Sequence, residues 1–262
     1  MMELLQISFD IEKHFNRHAT FKWSETWWTH CFYVSALYVL LVHWGQQKMK
    51  DRRKFGLRKA LFLWSLTLGI FSAIGFYRLG GQFVAELQRT GWHETLCNVD
   101  FYDGQNHGLW CFLMAFSKLP ELLDTLFIVL RKQKLIFLHW YHHVTVYCFA
   151  WYSYGTANGH TRLFMIMNYF VHMIMYSYYA IRAQGFVRIP RAVSIGITSL
   201  QLLQMLGGMG ACVYSLLMLL YGIPCHAEYT NICIGLLMYI SYTVLFGHFF
   251  YVNYLKKKET NS

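Results

Sequence analysis

Seven runs of apolar residues alternate with short polar stretches along this 262-residue chain. They fall at about 29–46, 61–80, 109–130, 135–153, 162–181, 192–221 and 230–254. At about 1.5 Å per residue, each run is long enough to cross roughly 30 Å of hydrocarbon as a helix, the fourth being near the short limit. Only three prolines occur (Pro120, Pro190 and Pro224), which suits long helices. No repeat, low-complexity tract or linker interrupts the series. The pattern predicts an all-α fold, a seven-transmembrane helical bundle forming a single domain over residues 1–262.

Polar residues inside the apolar runs are the informative exceptions. Within Leu138–Val146, His139, His142 and His143 fall on an arc of roughly 100° if the run is helical. Ionisable groups at membrane depth are costly unless they meet polar partners, so the cluster points to a site; the bland alternative is three satisfied core histidines. The third run carries Lys118, Glu121, Asp124 and Thr125, with its three charges on one face. For Lys118 the competing reading is a structural ion pair with Glu121. The fifth run aligns Asn168, His172, Tyr176 and Tyr179 on a stripe about 80° wide, with Tyr178 off the stripe as an interfacial anchor. The sixth run carries Thr198, Gln201 and Gln204, a set that interhelical hydrogen bonding explains as well as function does. Counted at about 1.5 Å per residue from one end, Asp124 lies about 10 Å deep, His142 about 12 Å, and His172 and Gln201 about 15 Å. Four helices thus place polar side chains at similar depth, which predicts one intramembrane chamber.

Composition agrees with a lipid environment. Charged residues make up 14% of the chain, where a soluble domain carries about 25%, and hydrophobic residues 56%. The net charge of +10 does not indicate nucleic acid, because the basic residues sit in short loops between apolar runs. Lys48–Lys59, Arg131–Lys134, Arg182–Arg191 and Lys256–Lys258 form basic loops that alternate with loops poor in Lys and Arg. With seven spans this places the C-terminus in the cytosol and the N-terminus in the lumen. Residues 1–28 lack a continuous apolar segment, so the first span is expected to act as its own targeting signal. Cys97 and Cys225 fall in two loops assigned to the oxidising lumen, where a disulfide between them is expected, the alternative being two free thiols. The other five cysteines lie in helices and read as small core residues.

Two chemistries compete for the histidines. An H-x-x-H-H box also occurs in membrane di-iron desaturases, but two irons need several such boxes and no second cluster is present. The other reading is metal-free: a buried imidazole stays neutral and is both a nucleophile and a general base. A seven-helix receptor or transporter is a third possibility. It lacks support from a D-R-Y or N-P-x-x-Y signature, or from inverted repeats with broken helices.

Four boxes together resemble the very-long-chain fatty-acid elongases, the 3-ketoacyl-CoA synthases of the endoplasmic reticulum. They are Lys118-x-x-Glu121-x-x-Asp124-Thr125, His139-x-x-His142-His143, His172-x-x-Met175-Tyr176-x-Tyr178-Tyr179 and Thr198-x-x-Gln201-x-x-Gln204. Their order and spacing match, and the resemblance covers nearly the whole chain. The run Leu130–His143 resembles the branch acting on saturated and monounsaturated acyl chains of about palmitate length. The resemblance implies decarboxylative condensation of acyl-CoA with malonyl-CoA to 3-ketoacyl-CoA, carbon dioxide and CoA, without a cofactor or metal. It implies an acyl-chain tunnel inside the bundle. His142 is the expected nucleophile, His172 with Asn168 and Gln204 the oxyanion partners, and His139 and His143 with Glu121 and Asp124 the groups that hold ring tautomers. Substrate contacts are expected from Lys118, Arg131, Lys132, Lys134, Tyr176, Tyr179, Arg182, Arg188, Gln201 and Lys256. Partners implied are membrane lipid, 3-ketoacyl-CoA reductase, 3-hydroxyacyl-CoA dehydratase, enoyl-CoA reductase and a second copy of the chain; nucleic acid is not implied. The tail Lys256–Ser262 sets its lysines too far from the end for a standard dilysine retrieval signal.

Overall fold

A computed structural model describes residues 10–104 and 107–256; the tail beyond Lys256, and with it the reading of the dilysine signal, lies outside them. The fold is all-α. Two short helices, α1 (Asp10–Lys13) and α2 (Arg17–Trp27), precede α3 (His30–Met49) and α4 (Arg58–Cys97). Asn16 starts α2 by accepting the Ala19 backbone N–H at 3.0 Å. Gly91, at φ +84°, interrupts α4 six residues before its end, a conformation that a residue without a Cβ adopts at low cost.

The third apolar run is two helices, α5 (Gly108–Glu121) and α6 (Asp124–Leu130). Pro120 supplies no N–H and crowds the preceding turn. The chain tightens there through three-residue bonds, Leu122 N to Leu119 O and Leu123 N to Pro120 O, before helix resumes. Glu121 therefore closes one helix and Asp124 opens the next, where a carboxylate is favoured by the N-terminal dipole. Then come α7 (Phe137–Thr156), α8 (Thr161–Gln184), α9 (Arg191–Leu220) and α10 (Tyr229–Phe250), the last tailing into a π-helical turn at Tyr251–Leu255. Gly185, at φ +77°, ends α8 with a left-handed residue.

The expectation of seven spans is corrected. Among the described residues, three helices are long and apolar enough to cross a membrane: Arg58–Cys97, Arg191–Leu220 and Tyr229–Leu255. The physical reason lies in the polar residues already noted. At 14 and 7 residues, α5 and α6 are too short. Helices α3, α7 and α8 have the length but not the apolarity, since His139, His142 and His143 interrupt α7, and Asn168 and His172 interrupt α8. The orientation of the termini rested on an odd count of seven and falls with it.

Packing is closest between α4 and α8. A Cβ on Gly75 would stand 2.5 Å from the Tyr169 ring, so a side chain there would push the helices apart. Tyr169 is fully buried and donates to Trp110 O at 2.9 Å, linking α8 to α5. On α9, Gly208 leaves room for Tyr239 of α10 in the same way. A disulfide joins Cys97 to Cys225, tying the end of α4 to the α9–α10 loop. His226 N donates to Cys97 O, and Gly159 N to His226 O, both at 2.9 Å. Outward-facing Leu37, Leu40, Leu63, Ile70, Leu237 and Val244 are exposed, an apolar exterior suited to lipid.

Candidate active site

All eight residues expected to carry the chemistry line one cavity of 310 Å³: Glu121, Asp124, His139, His142, His143, Asn168, His172 and Gln204. Helical phase accounts for this. The α7 histidines share one face, and Asn168 and His172 are one turn apart on α8. The break after Pro120 lets Glu121 and Asp124 approach from separate helices.

Each acidic group is held by named donors. Glu121 Oε1 accepts from Lys118 Nζ at 2.7 Å and from Ser117 Oγ at 3.0 Å. Lys118 Nζ also donates to Asn168 Oδ1 at 2.8 Å, and Asn168 Nδ2 lies 3.2 Å from His172 Nε2. His172 Nδ1 stands 3.8 Å from Glu121 Oε1. Asp124 is gripped at both oxygens: Trp64 Nε1 donates to Oδ1 and Tyr176 OH to Oδ2, each at 2.6 Å. Thr125, fully buried, bridges Tyr38 OH at 2.6 Å and His139 Nε2 at 3.0 Å.

The histidines differ in their freedom. His139 is engaged by Thr125 and packs against His143, ring centroids 4.4 Å apart. His143 is 7% exposed, with Nδ1 sealed in the wall. His142 is half-buried, and neither of its ring nitrogens hydrogen-bonds a described residue. Its ring rests on Tyr242, 4.8 Å between centroids, and Tyr242 OH donates to the His142 carbonyl at 3.2 Å while pairing with Thr145 at 2.6 Å. The ring is thereby braced from behind and open in front.

Of the residues expected to contact substrate, Tyr176, Tyr179, Arg182 and Gln201 line the cavity, together with Thr198. Gln201 Nε2 faces Met175 Sδ at 3.4 Å. Arg182, at its rim, donates to Tyr178 OH at 2.8 Å. Lys118 is 2% exposed and sits behind the wall. Lys132 Nζ is occupied by Lys50 O and Arg52 O. Arg131, Lys134, Arg188 and Lys256 are not among the lining residues and lie in loops and at helix ends. Sequence reasoning missed Tyr38, Trp64 and Tyr242. Each is an aromatic in an apolar run, and only its hydroxyl or indole N–H, which needs a partner when buried, hinted at a polar role.

Among the described residues, no group of three or more His, Cys, Asp or Glu side chains is arranged to hold a metal ion. Nε2 of His139 is engaged by Thr125, and Nε2 of His172 by Asn168.

Comparison with known proteins supplies the family. Residues 23–262 match the model described as "ELO: GNS1/SUR4 family". The chain is 45% identical over 251 residues to very long chain fatty acid elongase 6 of Homo sapiens, covering 95% of this chain and 93% of that protein. It is 44% identical to the Drosophila melanogaster protein of the same name, over 94% of this chain and 79% of that one. It is also 37% identical to very long chain fatty acid elongase 3 of Homo sapiens, over 89% and 86%. The cavity and these matches lead to one conclusion: the chain belongs to the ELO, or GNS1/SUR4, family of multi-pass helical membrane proteins, and is an acyltransferase that condenses acyl-CoA with malonyl-CoA to 3-ketoacyl-CoA.

Proposed function

We propose that the condensation runs through an acyl-imidazole on His142. The observation that carries this is the freedom of its ring: among the four imidazoles at the cavity, His142 is the half-buried one with no hydrogen bond to a described residue. An unengaged neutral imidazole has a lone pair for attack. Its nitrogen bonds to the thioester carbon, the carbon–sulfur bond breaks, and the proton released from the ring goes to the departing CoA thiolate. Malonyl-CoA then loses carbon dioxide. The resulting carbanion attacks the acyl carbon, forming the carbon–carbon bond as the carbon–nitrogen bond breaks, and the departing imidazolate takes up one proton from solvent, which restores the imidazole. The buried Gln204 amide and the His172 ring, both in the cavity lining, are the groups proposed to meet the oxyanion. The exposed Arg182 of the cavity lining suits the CoA phosphates, and Arg131, Lys134, Arg188 and Lys256 are proposed as further contacts to them. Tyr176, Tyr179 and Gln201 line the approach.

Intact-mass measurement after acyl-CoA alone tests this. The protein should gain one acyl group, and His142→Ala should not. Unmodified wild-type protein with full activity would reject the covalent route.

The same reading extends to substrate and setting. Acyl chains of about palmitate length are the proposed substrate, supported by the resemblance of the Leu130–His143 run. A substrate panel by acyl length with labelled malonyl-CoA tests it. Residence in the endoplasmic reticulum, association with the reductase, dehydratase and enoyl reductase of the elongation cycle, and self-association rest on family membership. A single domain over residues 1–262 rests on the family match from residue 23 onward.

A further inference from the structure

We infer that Lys118 is a positioning residue that sets which nitrogen of His172 carries the proton. The argument rests on the proposed use of His172 and starts from donors and acceptors. An ammonium only donates, so the Asn168 atom 2.8 Å from Lys118 Nζ is the amide oxygen. That fixes the amide's orientation, which its shape alone does not settle. The other end, Nδ2, is then a donor and lies 3.2 Å from His172 Nε2. A donor facing Nε2 requires that nitrogen to be a bare acceptor. The ring proton is therefore on Nδ1, on the side facing the Glu121 carboxylate at 3.8 Å.

The alternative form is disfavoured at a specific place. Turning the amide to support a proton on Nε2 would aim its NH₂ at the Lys118 ammonium, donor against donor, in a region where Lys118 and Asn168 are each 2% exposed. A purely structural ion pair would need only the bond from Lys118 to Glu121, made within one helix. The second bond crosses to α8, and that one orders the ring. The form it selects has its lone pair on Nε2 and a carboxylate behind Nδ1–H. Such a ring offers Nδ1–H as its one donor, on the Glu121 side, while Nε2 stays an acceptor of the Asn168 amide.

The test reads the tautomer directly. Full-length protein labelled with ¹⁵N-histidine in lipid nanodiscs is compared with two variants, His172 being assigned by its loss in His172→Gln. In the wild type, His172 Nε2 should resonate as an unprotonated ring nitrogen. Asn168→Asp retains an acceptor for Lys118 but offers Nε2 no donor, so the Nε2 signal should move to the protonated position. Lys118→Met/Glu121→Gln removes both charges together, leaves no lone buried ion, and should give a mixture of the two signals in the folded protein. Its kcat should fall about tenfold or more while KM for acyl-CoA changes less than threefold. Folded double variant with the wild-type Nε2 signal, or wild type with a protonated Nε2, overturns the inference. Because the readout needs no turnover, it stands or falls separately from the acyl-imidazole reading.

Discussion

Thr125→Val is the sharpest probe of how the fold holds the reaction centre. Valine matches threonine in shape, so the change removes one hydroxyl and little packing. That hydroxyl bridges Tyr38 OH on α3 and His139 Nε2 on α7, at 2.6 and 3.0 Å, from a fully buried position on α6. The Tyr38 phenol, 8% exposed, is left without its partner, at about 1–3 kcal/mol. His139 is half-buried beside the cavity, where water replaces part of what it loses. The total expected is about 2–4 kcal/mol, or a fall in Tm of roughly 5–12 °C for a chain of this size. Tyr38→Phe removes the orphan, so the double variant should be less destabilised than the sum of the singles, with a coupling of about 1–2 kcal/mol. Unfolding of the purified protein in lipid–detergent micelles measures all four corners. A fall in kcat of about tenfold should accompany Thr125→Val, because His139 packs on His143 and moves the ring array with it. Stability within about 0.5 kcal/mol of wild type, or strict additivity in the cycle, refutes the bridge.

Three further outcomes follow from the packing. Gly75→Ala forces a methyl against the Tyr169 ring, and overpacking of this kind costs about 1–3 kcal/mol; kcat should drop as well, since Asn168 and His172 ride on the displaced helix, whereas Gly69→Ala, which meets Ser177 Oγ at 3.4 Å, should be tolerated. Arg162 is 3% exposed, lies between the rings of Phe83 and Phe101 at 5.7 and 5.1 Å, and its guanidinium makes no hydrogen bond or salt bridge to a described residue. Arg162→Leu should therefore raise Tm by a few degrees and leave kcat unchanged, and a lower Tm would show that the guanidinium is stabilised after all. Burial holds His107 and His160, both outside the three apolar spans, at about 4 instead of 6.5, with Arg162 and Arg78 adding to the effect at His107. Between about pH 6.5 and pH 4 the unfolded chain takes up protons that the folded chain refuses, so stability is full above this window and falls through it as pH drops; a Tm that is flat over the window contradicts this.

The amino-acid pattern by itself located most of the long helices and the polar set, though not α1, α2 or the extension of α4 from about residue 80 to Cys97. The run at 162–181 became Thr161–Gln184 and that at 192–221 became Arg191–Leu220, because apolar length and glycine or proline punctuation are local properties. The eight candidate residues that line the cavity were also legible as a polar set, since a polar group in an apolar run is conspicuous wherever the chain goes. The number of membrane-crossing helices was not. The polar residues that build the cavity lower the apolarity of the very helices that carry them, so length alone over-counted, and Pro120 divided a third run that its composition made look continuous. Only the tertiary structure decided which donors meet which acceptors. Trp64 lies 60 residues from Asp124, and Tyr38 lies 87 from Thr125. Nothing local distinguishes these two aromatics from their neighbours; a hydrogen bond a few ångströms long is a relation between helices, and it exists once packing has brought them together.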